Sequence, residues 1–249
     1  INVVGRSRRV MANIVSEAVS NALIKLHEDK GVKFAFGAGV NEINAGENST
    51  DNKSAKVSSV TLSDGSTLAA DMVILGTGVA PRTELLNEVN ASDGVQVDEH
   101  LQLRDGVYAL GDIAKATNQM GRMRIEHWRV ALQHGLVTAA AILNEDNVDS
   151  LAERIPFFWT GQYGKSLRYS GHAATPDNGI LFGSPDNLDY IEYYFNDDGE
   201  DTRASAASSL GRDKELIAFS ELLRRGHAPT RAQIKAGFEI IEQAQALSR

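Results

Sequence analysis

No cysteine occurs in the 249 residues. That excludes a disulfide framework and any thiolate-held metal within them. No apolar run approaches the ~18 residues that a membrane-spanning helix needs. Basic residues are in the minority, with 25 Lys and Arg against 33 Asp and Glu and a net charge of −8. Their densest cluster, Arg6, Arg8 and Arg9, is too short for a surface that tracks nucleic-acid phosphates. Repeats and heptads are missing. His27, His100, His134 and His227 lack metal-ligand spacing relative to one another, so no metal site is expected and these four read as ordinary core or surface residues. What remains is 42% apolar and 23% charged, the ordinary balance of a globular protein. The length suits one large domain or two to three smaller ones.

The most informative stretch is Gly106-Val107-Tyr108-Ala109-Leu110-Gly111-Asp112-Ile113-Ala114. Residues 107–110 are long enough for a buried strand and too short for a helix. The run ends at Gly111-Asp112, where a backbone can approach a ligand closely and a carboxylate can accept hydrogen bonds from sugar or polyol hydroxyls. The amides that follow could face a pyrophosphate. The plain alternative is a strand-to-helix turn with a capping Asp.

Three further segments follow the same logic. Asp71-Met72-Val73-Ile74-Leu75-Gly76-Thr77-Gly78-Val79-Ala80-Pro81-Arg82-Thr83 reads as an apolar strand buried on both faces, running into a Gly-rich turn. Arg124-Ile125-Glu126-His127-Trp128 precedes a helix-period run over 130–143. Pro156-Phe157-Phe158-Trp159-Thr160-Gly161-Gln162-Tyr163-Gly164-Lys165 is rich in aromatics. In this order and spacing the four segments resemble the apoptosis-inducing-factor-like and ferredoxin-reductase-like FAD proteins of the pyridine nucleotide-disulphide oxidoreductase superfamily. The resemblance runs over nearly the whole chain. It implies an α/β fold with two incomplete Rossmann-like dinucleotide-binding domains, for NAD(P) and FAD, followed by a C-terminal α+β module with an antiparallel sheet. The implied boundaries are 1–80 for the NAD(P) part, 81–148 for the returning FAD part and 149–249 for the C-terminal reductase or dimerisation-type domain.

The resemblance also implies roles. Asp112 would hold the ribityl chain of FAD, with Gly111 permitting the approach and Ile113 and Ala114 following over the cofactor. Glu126 and His127 would meet the flavin and nicotinamide as the catalytic pair, His127 donating to a flavin carbonyl or walling the ring. Trp128 would meet the flavin beside them, and Trp159 and Phe158 would wall its ring from the C-terminal module or else belong to the core. Gly78 would let the chain leave the NAD(P) sheet against a ligand. Gly5 and Arg6, at the end of the first strand, would meet the adenosine ribose of NAD(P)H. Arg6, Arg8 and Arg9 in place of an acid there favour a 2′-phosphate, or else decorate a solvated loop.

The sequence departs from the family in having no G-x-G-x-x-G fingerprint to cradle a dinucleotide pyrophosphate. Both fingerprints would precede Ile1, so the chain reads as a fragment, expected to hold neither cofactor tightly and to be inactive alone. The implied whole is an FAD-dependent NAD(P)H oxidoreductase, intracellular in the cytoplasm or mitochondrion, with a homodimer among the assemblies the resemblance allows. It would pass hydride from nicotinamide to flavin and electrons to an external acceptor, whether quinone, oxygen or an iron–sulfur protein. A non-enzymatic apoptosis or redox-signalling protein that keeps the fold is the competing reading, because fold alone does not fix function.

Along the chain, Ile14, Val15, Ala18, Val19, Ala22, Leu23 and Leu26 form a helical stripe that Gly31 follows. Residues 32–36 read as a strand, 44–56 as a polar surface loop, and 57–62 with 67–69 as a hairpin about Asp64-Gly65. Residues 95–103 read as one edge-like strand. Leu216, Ile217, Phe219, Leu222 and Leu223 mark a helix before Gly226, and Ile234, Phe238, Ile241 and Leu247 a single last helix. Residues 196–212 read as a turn and a small-residue run.

Overall fold

The computed structural model describes residues 1–46, 56–86, 93–118, 120–145 and 154–247. The chain divides into two compact units, Ile1–Gly78 and Val79–Arg249. Among the described residues no helix is long and apolar enough to cross a membrane.

In the first unit, β1 (Asn2–Gly5) and β2 (Lys33–Phe36) pair in parallel, connected through α1 (Glu17–Glu28). Ser16 caps α1, Glu17 sits in its first turn, and Lys25 and His27 sit in its last. The charges of Glu17 and Lys25 complement the helix dipole. Of the predicted stripe, Val19, Ala22 and Leu23 are buried, whereas Ile14 and Val15 precede the helix and Ala18 is exposed; Gly31 adopts φ +85° just past the end. An antiparallel meander follows: β3 (Val40–Ala45), β4 (Val57–Leu62) and β5 (Thr67–Ala69). Asp64 closes the β4–β5 turn by accepting from the Ser66 amide at 2.9 Å, as the Asp-Gly signal predicts. The expected polar loop is shorter at its start, since Asn44 and Ala45 belong to β3. Residues 47–55 of that expectation lie outside the described residues.

The expected buried strand at 71–75 does not form. These residues have no strand conformation, and Met72, Ile74 and Leu75 are 76%, 87% and 65% exposed. Only Val73 leans on the cluster of Ala38, Val60 and Leu62. A doubly buried strand needs a hydrogen-bonded neighbour and a covered face, and no described strand pairs with this segment.

The second unit begins with β6 (Val95–Gln96), β7 (Gln102–Arg104) and β8 (Val107–Tyr108), followed by a one-turn 3-10 segment at Gly111–Ile113. The single strand expected at 95–103 is broken. The Asp98 carboxylate accepts from the amides of His100 and Gln102 at 2.9 and 2.8 Å, and Leu101 takes φ +64°. Next come β9 (Ala114–Asn118), β10 (Gly121–Arg124) and α2 (Trp128–Leu143). β9 pairs in parallel with β6 and antiparallel with β10. Their core holds Val95, Val97, Leu101, Ala109, Ala114, Ala116 and Val137.

The C-terminal part is a five-stranded antiparallel sheet of β11 (Phe157–Gln162), β12 (Lys165–Gly171), β13 (Gly179–Ser184), β14 (Asp189–Tyr194) and β15 (Ala206–Leu210), ordered β11-β12-β15-β14-β13. The small-residue run thus contains its central strand, buried at all five positions. Side chains alternate across the sheet. Ile191, Tyr193 and Ala207 join Leu216, Phe219 and Leu222 of α3 (Asp213–Arg224) in one core. Tyr190 and Tyr194 meet Ser208 by hydrogen bonds of 3.1 and 2.6 Å. The expected last helix is two, α4 (Arg231–Lys235) and α5 (Ile240–Leu247), because Gly237 at φ +84° ends the first.

Candidate functional site

The strand leading to Gly111 is shorter than expected. Only Val107 and Tyr108 pair as strand, Ala109 is buried, and Leu110 is 42% exposed. The chain then turns sharply. Gly111 lies at φ +75°, a left-handed conformation that glycine adopts without a side-chain penalty. A Cβ placed there would stand 3.5 Å from that of Ala131 on α2, so turn and helix are in direct contact.

Two side chains clamp this turn. The buried Gly111 amide donates to Nδ1 of His134 at 3.1 Å. The Asp112 carbonyl accepts from Nη1 of Arg124 at 3.0 Å. The Asp112 side chain itself is exposed, and its carboxylate takes no hydrogen bond from any described residue. Charge and open space at the tip, with both flanking peptide groups fixed, make a ready acceptor for hydroxyl groups. Ile113 and Ala114 face the other way. Ala114 is buried in the core, and Ile113 packs against it, so what these two could present to a ligand is backbone.

Arg124 reaches both predicted halves of the site. The nitrogen that holds Asp112 also donates to Oε1 of Glu126 at 2.6 Å. Gly94 makes room for it, since a Cβ there would lie 2.5 Å from Cδ of Arg124 and 2.6 Å from the Ile113 carbonyl oxygen. Asp93 stands 3.8 Å from Nε of Arg124 and pairs with Lys115.

His127 caps α2. Its Nδ1 accepts from the Arg129 amide at 3.2 Å, which leaves Nε2–H as a donor. Burial lowers its pKa and Arg129 adds to this, while Asp112 opposes. The ring is therefore neutral at pH 7. It stacks on Trp128 at 5.7 Å and lies 6.3 Å from Phe158. Trp128 and Trp159 meet edge to face at 6.4 Å, each more than half exposed. Large apolar surface left open beside polar groups is what a planar ring requires as a wall. Glu126, His127, Trp128 and Trp159 are thus brought together, with Arg124 joining Glu126 to Asp112.

The remaining predicted residues belong to the first unit. Gly5 ends β1 opposite Phe36, at the carboxyl end of a parallel pair, where open α/β sheets place ligands. Arg6 and Arg8 are exposed. Arg9 is committed elsewhere and donates to the carbonyls of Ala12 and Val15 at 3.2 and 3.4 Å. Gly78 lies at φ +85°, and a Cβ built there would meet nothing within 4 Å.

Sequence reasoning missed His134 and gave Arg124 no role. His134 stands at helical spacing from Ala131, the residue that touches Gly111. That spacing was its only available signal.

The family described as pyridine nucleotide-disulphide oxidoreductase matches residues 1–135, and one described as reductase C-terminal matches 157–238. The chain is 27% identical over 243 residues to apoptosis-inducing factor 3 of Mus musculus, covering 94% of this chain and 38% of that protein. It is 30% identical over 228 residues to putidaredoxin reductase CamA of Pseudomonas putida, covering 90% and 51%. The crystal structure of the covalent putidaredoxin reductase–putidaredoxin complex superposes with a TM-score of 0.84 at 26% identity, covering 98% of this chain and 58% of that one. The α/β fold with a C-terminal antiparallel sheet is that of these reductases. The chain spans about half or less of the length of these two relatives.

Proposed function

Because the chain belongs to the pyridine nucleotide-disulphide oxidoreductase family, we propose that the protein it comes from is an FAD-dependent NAD(P)H oxidoreductase that delivers electrons to an external acceptor. Residues 1–80 are its share of the NAD(P) domain, 81–148 its share of the FAD domain, and 149–249 its C-terminal domain. FAD, when bound, supplies hydride acceptance and the release of electrons one or two at a time. The residues present fit one portion of that cofactor. Asp112 offers a free carboxylate for the polyol, and Trp128 and Trp159 offer open apolar surface for the ring.

The protein's own part is to bind and orient. Asp112 fixes the polyol by accepting from its hydroxyls. The Nε2–H of His127 is available to a carbonyl, and Arg124 holds the Glu126 carboxylate in place. Gly5 and the exposed Arg6 are offered to the adenosine ribose. A disulfide acceptor within these 249 residues is ruled out, since they contain no cysteine. Among external acceptors, an iron–sulfur protein is favoured over quinone or oxygen. The support is the likeness to reductases whose names specify ferredoxin-type partners.

The observation that carries this reading is the exposed Asp112 carboxylate on a left-handed turn clamped by His134 and Arg124. The full protein should be yellow as purified and should bleach when NAD(P)H is added without air. Asp112→Ala should weaken FAD binding about tenfold or more, the scale of a lost charge-assisted hydrogen bond. Equilibrium dialysis measures it, and unchanged flavin content in the variant would overturn the assignment.

A further inference from the structure

We propose that His134 is the positioning residue of this site: its imidazole, bearing its proton on Nε2, grips the Gly111 amide through Nδ1 and so fixes the backbone that presents Asp112. The inference rests on the reading of Asp112 as a ligand to a polyol, and it extends to a residue that touches no part of the ligand.

The geometry leaves His134 one workable protonation state. A backbone N–H can only donate, so the Nδ1 that receives it at 3.1 Å must carry a lone pair. His134 is 6% exposed, so breaking that bond would strand the Gly111 amide away from bulk solvent. The bond also falls where the chain is least able to hold itself. Gly111 is left-handed and has no side chain to pack, and the 3-10 turn it opens has no side-chain cap. Ala131, one turn earlier on the same helical face, supports the turn by contact alone.

Burial and the Asp112 carboxylate act on the ring in opposite directions. Burial lowers the imidazole pKa from its usual value near 6.5, and Asp112 opposes this. Asp112 on the turn and Arg154, which lines the small cavity beside the ring with Asn118 and Gln133, are the charged groups that face it. Protonation at Nδ1 would set two donors against each other and draw the new cation toward the Asp112 carboxylate. Asp112 would then be turned from ligand to partner. Because the folded pKa lies below the unfolded value, the arrangement is complete above pH ~6.5 and is lost as pH falls through the lowered pKa. The site therefore loosens on acidification.

The test has two arms on the full protein. In the first, nitrogen-15 NMR of the ligand-free, histidine-labelled protein reads the tautomer, with the His134 signals assigned by their loss in His134→Asn. The expected result at pH 7.5 is a neutral ring protonated on Nε2. A ring protonated on Nδ1 overturns the proposal whatever FAD does. In the second arm, FAD affinity is followed by flavin fluorescence from pH 5 to 8. Wild type should weaken severalfold on acidification. His134→Asn, whose side-chain oxygen replaces Nδ1 as acceptor, should bind within about twofold of wild type at pH 7.5 and lose most of that pH dependence. His134→Leu should bind about tenfold more weakly than wild type at pH 7.5 and change little further on acidification. Equal losses in Asn and Leu variants of matched melting temperature, or a wild-type pH profile that survives in His134→Asn, overturn it. If Asp112→Ala retains flavin while the NMR result holds, the polyol reading fails and the grip on Gly111 stands.

Discussion

Two short segments show opposite fates for similar lengths of chain. Residues 71–75, Asp-Met-Val-Ile-Leu, are apolar enough for any core, yet Ile74 is 87% exposed. Residues 206–210, Ala-Ala-Ser-Ser-Leu, are small and partly polar, yet Ala206, Ala207, Ser208 and Ser209 are completely buried. Composition does not decide between them. The second segment has a hydrogen-bonded strand on each side and helix α3 against one face, and the first has no described strand beside it. Small residues suit the middle of that sheet because Tyr190, Tyr194 and Phe219 already fill the space around it.

The contrast can be broken first at Gly171, which bears φ +91° and would bring a Cβ to within 2.2 Å of the Ser205 carbonyl oxygen and 2.8 Å of the α-carbon of Ala206. Gly171→Ala should cost roughly 3 kcal/mol or more in a denaturant melt, since backbone must move and the conformation itself is strained. Ser208→Ala comes second. It adds apolar character to a buried strand and should nonetheless destabilise by about 1–2 kcal/mol, because Tyr190 loses its hydroxyl partner. Ile74→Ser should change the stability of the 249-residue chain by less than about 0.5 kcal/mol. A large loss there would mean that the segment is packed, and the comparison would collapse.

Where a signal is local, sequence reading reached the structure. The α1 stripe, the Asp64 hairpin, α2 and α3 all follow from spacing and from turn residues acting on their neighbours. Gly111 and Asp112 were readable because a glycine and an acid after a short apolar run restrict the backbone wherever they occur. His134 was not, since its partner lies 23 residues away and a single histidine on a mostly apolar helix has no period of its own. Arg124 escaped for the same reason, 12 residues from the carbonyl it holds. The break at Asp98 was hidden because a carboxylate catching two amides overrides an alternating pattern that otherwise favours strand. The buried strand at 206–210 was hidden by its lack of bulk.

A missing side chain at Gly94 has a reach that its position does not advertise. The aliphatic stem of Arg124 passes through space that any methyl group there would occupy. Lengthening the chain at residue 94 by one carbon would evict the single cation that ties the Asp112 carbonyl to Glu126, and two polar groups would lose their common anchor at once. A substitution in the loop before the first strand of this unit would then read, in a functional assay, as damage at Asp112 and at Glu126 alike.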